Sequence, residues 1–297
     1  MIIKSGADIL NICEQEKISI AELAIRYETK RSGVSREYVI DKMQKTFEQM
    51  QKSIKEGMKK QDSGYEIGGK MFRDYGKKID QYSQNVNPLL GTEASQAVAY
   101  AVSVMEVNCS MGKVVASPTA GSCGVLPAAI LSCMETQNLD DAKAVEGLFA
   151  AGLVGSIIGR NASLSGAKGG CQAEIGSAAA MAAAAIVEMS GGTPKMALDA
   201  AAYTIKNIMG LVCDPVAGLV EIPCVKRNGL GVLNALMCAD MALAGIESVV
   251  PFDEVIWAMD RVGRQMPEAM KETSEGGIAD TATARKIEKE IFEKDWN

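Results

Sequence analysis

Histidine is missing from all 297 residues. It is the side chain whose charge ordinarily changes near neutral pH, so any proton transfer falls to another residue type or another chain. The sequence has no concentrated basic run, and with a net charge of −6 and a pI near 5.0 it excludes nucleic acid as the expected main partner. Met1–Asp8 lacks a basic flank followed by a long apolar core, and no apolar run reaches the roughly 20 residues of a membrane span. A cytoplasmic protein without a membrane partner is expected. The eight cysteines show neither the regular spacing of a secreted disulfide scaffold nor the CxxC pairs of a zinc ribbon, which leaves reduced thiols with metal or core roles.

What is present is apolar and helical. At 47% hydrophobic residues the chain can bury a substantial core as one large domain or two. The first thirty residues read as two short helices forming a docking appendage, with Ser19 and Glu22 as a capping box, and 1–60 reads as an N-terminal helical segment. From Ser35 a longer helix carries Val39, Met43, Phe47, Met50, Ile54 and Met58 on one face, a stripe read as core or interface. Lys59–Gly69 reads as a loop. Thr92 is placed as the cap of a helix running to about Met111, and Asp140 as the cap of another ending near Gly159. The alanine run Ala178–Val187 belongs at the centre of a bundle. Thr193 and Pro194 open the next helix, with further helices over about 228–244 and 252–266. Strand-like alternation is scarce, so the expected fold is all-α, with Leu219–Ile222 kept as a possible short strand.

Three cysteines fall in breaks between these helices: Ser165-Gly-Ala-Lys-Gly-Gly-Cys171, Val212-Cys213-Asp-Pro215 and Ile222-Pro-Cys224-Val-Lys-Arg-Asn228. Glycine and proline there permit or fix backbone angles that could turn a thiolate inwards. Cys13, Cys109, Cys133 and Cys238 lie in helical patterns and read as small core residues, and Cys123 is the substitute ligand. Three converging thiolates suit a metal or cluster with one open coordination position, but on the residues alone plain buried thiols or a structural zinc site are the more frequent reading. The loop Ala116–Gly124 opens a helix, so its amides and the hydroxyls of Ser117, Thr119 and Ser122 could face a substrate carboxylate. Lys168, Lys226 and Arg227 neighbour the cysteines in sequence and could compensate negative charge.

Five motifs carry a family resemblance: Glu106-Val-Asn-Cys-Ser-Met-Gly112, Pro118-Thr-Ala-Gly-Ser-Cys-Gly-Val-Leu-Pro127, Ser165–Gly176, Cys213–Cys224 and Lys271-Glu-Thr-Ser-Glu-Gly-Gly277. Together they resemble the α chain of the bacterial iron–sulfur L-serine dehydratases. The resemblance implies a catalytic domain over 70–297 and a [4Fe–4S] cluster on Cys171, Cys213 and Cys224. It further implies conversion of L-serine to pyruvate and ammonia without pyridoxal phosphate, and a separate β chain that supplies a base. Lys168 and Glu174 are the candidate bases within this chain. Three other readings compete: an L-cysteine desulfidase of similar cluster chemistry, a non-catalytic iron–sulfur redox sensor, and a pyridoxal-phosphate lyase using Lys168.

Overall fold

Serine side chains begin the first three helices of the computed structural model, which describes residues 2–59 and 68–294. Ser5, Ser19 and Ser35 accept from the amides of Asp8, Glu22 and Tyr38, and so start α1 (Gly6–Glu16), α2 (Ile20–Ser32) and α3 (Arg36–Met58). The reciprocal capping box sits at Ser5, whose amide donates back to Asp8. At Ser19 only the serine half forms, because Glu22 pairs with Arg26 and Arg36 instead. On α3 the predicted stripe buries Val39, Phe47, Met50 and Ile54, with Met43 and Met58 partly covered. Of the expected Lys59–Gly69 loop, residues 60–67 lie outside the described residues.

Next come α4 (Tyr75–Asn85), which the pattern does not announce, and α5 (Gly91–Cys109), which starts before Thr92 and has no side-chain cap. Then follow α6 (Val125–Gln137), α7 (Asp141–Asn161, capped by Asp140), the single turn α8 (Gly166–Gly169) and α9 (Cys171–Met189). Thr193 caps α10 (Pro194–Asn207), with proline in its first turn as expected. Helix α11 (Cys224–Leu243) starts four residues earlier than the pattern indicates, directly after Pro223, where a missing amide proton costs nothing. Finally α12 (Phe252–Gln265) precedes the unannounced α13 (Ala282–Lys294). Among the described residues there is no strand, and Leu219–Ile222 is irregular chain after a 3-10 turn at Val216–Gly218. The fold is all-α.

Helix α9 is the axis of the bundle. Every residue from Ala178 to Val187 is buried, so the helix is apolar on all sides and α6, α7, α10 and α11 close around it. Its register against α7 is set by two notches. A Cβ on Gly147 would lie 2.7 Å from Met189 Sδ, and one on Gly155 2.7 Å from Met181 Sδ. Eight residues separate the glycines and eight the methionines, in opposite directions, so the helices run antiparallel. A side chain at either notch would overpack the contact by about 1–3 kcal/mol. Helix α7 is also long and apolar enough to cross a membrane, which the reading by apolar runs does not anticipate; 67% of its apolar window is buried inside this bundle.

Carboxylates from the core hold the outer elements. Asp253 accepts from the amides of Gly6 and Ala7 at the start of α1, Glu188 from Ala21 in α2, and Glu106 from Tyr75 and Gly76 at the start of α4. Each satisfies orphan amides where the helix dipole favours a negative charge. Glu221 accepts from the amides of Lys70 and Met71 in the irregular chain before α4.

Candidate active site

Two of the three loop cysteines begin helices. Cys171 is the first residue of α9, after Gly170 turns the chain at φ 75°. Any side chain at Gly170 would meet Met266 and the Leu211 carbonyl within 2.8 Å, so glycine is required both for its conformation and for space. Cys224 opens α11 after Pro223. Cys213 lies between α10 and α11, and its strand-like segment is held by the chain beyond α12. The Cys213 amide donates to Met270 O at 2.9 Å, and the Glu272 amide donates to Cys213 O at 2.7 Å.

All three thiols are buried, at 1%, 2% and 4% exposure. They also sense one another: burial is the main cause that raises Cys213 and Cys224, and in both the neighbouring Cys171 adds to it. Cys171 is pushed up to about 12 by burial, although Arg227 works the other way. Helix N-termini favour thiolates at Cys171 and Cys224, but here desolvation wins. Such thiols stay protonated until a metal replaces the protons. Among the described residues no three His, Cys, Asp or Glu side chains converge tightly enough to hold a single metal ion. A cluster, in which each thiolate meets its own iron, does not require that convergence. The donor set fits it, and a Cβ on Gly166 would lie 2.8 Å from Cys213 Sγ, so the absence of a side chain there leaves room beside that buried sulfur.

Arg227 organises the three loops. One turn after Cys224, its Nη1 donates to Val212 O and its Nη2 to Asp214 Oδ1, both at 2.9 Å, gripping each neighbour of Cys213. Burial opposes its charge, but Cys171 and Asp214 outweigh that and raise its pKa. Asp214 Oδ2 accepts from the Ile278 amide at 2.9 Å.

Glu174 lies one turn beyond Cys171 on the same face of α9. Burial raises its carboxyl, a hydrogen bond donated by Thr119 opposes that, and Glu272 raises it further. Thr119 and Ser122 also bond to each other at 3.0 Å, giving a chain Ser122–Thr119–Glu174. A Cβ on Gly121 would lie 2.7 Å from Glu174 Oε1, so the loop accepts this carboxylate only because the position is glycine. Asn228 fixes the loop in turn: its Oδ1 accepts from the Gly124 amide, while its Nδ2 donates to Gly121 O and Cys224 O. That bond uses the Gly124 amide at the start of α6 which the sequence reading offers to an anion.

The predicted residues therefore separate. Cys171, Cys213, Cys224, Arg227, Glu174, Thr119 and Ser122 come together. Ser117 is buried nearby, its hydroxyl donating to Val115 O at 3.4 Å. Lys168 is exposed on a groove of about 680 Å³ that it shares with Thr119 and Ser165, at the rim of the site. Lys226 is not part of the group: two residues along α11 from Cys224 is a turn of about 200°, and it lines an apolar groove with Tyr75 and Leu230. Asp214, Asn228 and Glu272 are missed by the sequence reading, although all three lie inside the motifs that hold or adjoin the cysteines. Glu272 and Ser274 hold φ of 67° and 58°, an uncommon conformation for residues with side chains, in the segment that covers Cys213.

Residues 15–279 match the family described as Serine dehydratase alpha chain. This chain belongs to that family. It is 44% identical over 285 residues to the probable L-serine dehydratase, alpha chain, of Bacillus subtilis, covering 96% of this chain and 94% of that one. It is 42% identical over 294 residues to the L-serine dehydratase, alpha chain, of Peptoniphilus asaccharolyticus, covering 99% of each. A longer L-serine dehydratase of Streptomyces coelicolor is 35% identical over 285 residues, which span 93% of this chain and 60% of that protein. The family match contains every residue of the site described above, and α13 lies beyond it.

Proposed function

We propose that this chain is the catalytic subunit of an L-serine ammonia-lyase that forms pyruvate and ammonia, works with a separate β chain and needs no pyridoxal phosphate. The observation that carries the reading is the group of three buried thiols, gathered around Arg227 and facing Glu174, in a chain whose relatives are named L-serine dehydratase alpha chains. Cys171, Cys213 and Cys224 would hold a [4Fe–4S] cluster. A cluster with three protein ligands supplies one iron with an open position, a Lewis acid for the serine hydroxyl.

The protein's own groups do the rest. Arg227 offsets the charge of the thiolates, bonding Cys171 as well as Val212 and Asp214. Glu174, raised by burial, suits proton transfer closer to neutral pH than an ordinary carboxyl does, and Thr119 fixes which oxygen is free. Thr119 lines the approach from the groove that carries Lys168, and the buried Ser122 bonds to its hydroxyl from behind. With no histidine in the chain, a base for the α proton comes from Glu174 or from the β chain. Loss of that proton and of the hydroxyl gives aminoacrylate, which hydrolyses to pyruvate and ammonia.

The test is anaerobic reconstitution with iron and sulfide. Cys171→Ser, Cys213→Ser and Cys224→Ser should each lose bound iron and the broad visible absorption, while Cys13→Ser and Cys238→Ser keep both. Iron retained by all three loop variants would overturn the ligand assignment. With the β chain present, a larger kcat/KM for L-cysteine than for L-serine would reassign the chain as a desulfidase.

A further inference from the structure

Helix α11 carries a second pattern that the site does not use. Lys226, Leu230, Leu233, Met237 and Asp240 follow at steps of four, three, four and three. At about 100° per residue all five stay within roughly 40° of one line along the helix, the spacing of a helix-pairing seam. Leu230 is 47% and Met237 50% exposed, and Lys226 and Asp240 are exposed as well. Among the described residues neither charged side chain has an ion-pair or hydrogen-bond partner. Beside the seam α4, α5 and α11 form an apolar groove of about 420 Å³, and Gly229 lies in its wall. There α11 sits tight against α5, since a Cβ on Gly229 would lie 3.0 Å from Val98 Cγ1.

We propose that this face pairs antiparallel with the same face of a second copy of the chain, about a twofold axis at Leu233. The charge pattern selects that occupant. In such a pair each residue meets the one equally far from Leu233 on the other side. Lys226, seven residues before, faces Asp240 of the second copy, seven after; by symmetry the contact forms twice. Met237, four after, comes level with Gly229 of the second copy, four before, which places a flexible thioether over the apolar groove lined by Leu230 and Leu233 beside that buried glycine. A seam with a cation at one end and an anion at the other complements itself only when reversed, which fixes the antiparallel direction. The inference uses no residue of the proposed reaction and stands independently of it.

Sedimentation velocity on the full chain, from low to high micromolar, tests it. The wild type should show a concentration-dependent monomer–dimer equilibrium. Lys226→Glu and Asp240→Lys should each weaken dimerisation about tenfold, and the double reversal should restore it to within about threefold. Met237→Glu should leave a monomer, with an unchanged circular dichroism melt showing that it still folds. A wild type that is monomeric throughout, or a dimer indifferent to these variants, overturns the proposal. If the chain is monomeric and Met237→Glu instead blocks binding of a β chain, the face belongs to that partner and the second-copy assignment fails.

Discussion

Arg227 and Asp214 form an ion pair at 2.9 Å, with their side chains only 14% and 4% exposed. The pair joins three segments remote in sequence. Arg227 comes from the first turn of α11, Asp214 flanks Cys213, and the second oxygen of Asp214 takes the amide of Ile278 from the segment that covers the site. The loops bearing Cys213 and Cys224 are therefore fixed to each other before any metal binds.

Asp214→Ala should destabilise the metal-free chain by about 3 kcal/mol, because it leaves a largely buried guanidinium without its carboxylate. Asp214→Asn keeps an acceptor for Ile278 and should cost less. Urea unfolding at constant pH measures both. A loss below about 1 kcal/mol for the alanine variant would mean that Arg227 is solvated like a surface group.

Asn228 is fully buried and makes three hydrogen bonds, to Gly121, Gly124 and Cys224. Asn228→Ala should cost about 2–3 kcal/mol, because each abandoned backbone group stays out of water. Asn228→Asp should be at least as costly: a carboxylate can still accept from Gly124 but cannot donate to the two carbonyls. The urea midpoint checks both values, and equal stability of the aspartate variant and wild type would contradict these bonds.

Much of this was legible in the chain. The helix caps Ser35, Asp140 and Thr193 and the buried alanine run follow from local chemistry, which is why those elements appear where predicted. The missed helices are short and polar: α4 and α13 bury few residues, and α4 takes its first amide bonds from Glu106, a residue on another helix. Such a cap has no local signal. The three cysteines stood out because glycine and proline surround them. Lys226 and Arg227 look equivalent in sequence, and only the 100° between them on α11 separates a site residue from one on the outer face. Glu272 has no spacing signature, since it reaches the site through a segment paired to Cys213 in the tertiary fold.

Two glycines make a matched experiment. Gly166→Ala places a methyl 2.8 Å from Cys213 Sγ, so iron retention after reconstitution should fall severalfold, although α8 tolerates alanine. Gly152→Ala, on the exposed side of α7 with nothing within 4 Å, should raise stability by about 0.5–1 kcal/mol through helix propensity alone. Thermal melts and iron assays on both variants check this. Equal iron in the Gly166 variant and wild type would show that this sulfur does not need the space.

Glu174 links stability to activity with a definite sign. Burial raises its carboxyl above the ordinary value of 4.5, so the folded chain keeps a proton that the unfolded chain has released. Folding stability from this group is therefore intact below the unfolded value and is lost as pH rises towards the folded one. Glu174→Gln removes the penalty. Its melting temperature should match wild type near pH 4 and exceed it at pH 8, by about 1 kcal/mol of stability, while pyruvate release falls about 100-fold at unchanged iron content. Thr119→Val acts in the opposite sense on the carboxyl: it removes a donor to the charged form, so Glu174 should ionise at higher pH and the acidic limb of the rate profile should move upwards. A Glu174→Gln chain no more stable than wild type at pH 8 would show that this carboxylate is hydrated, and would return the search for the proton-transfer group to the β chain.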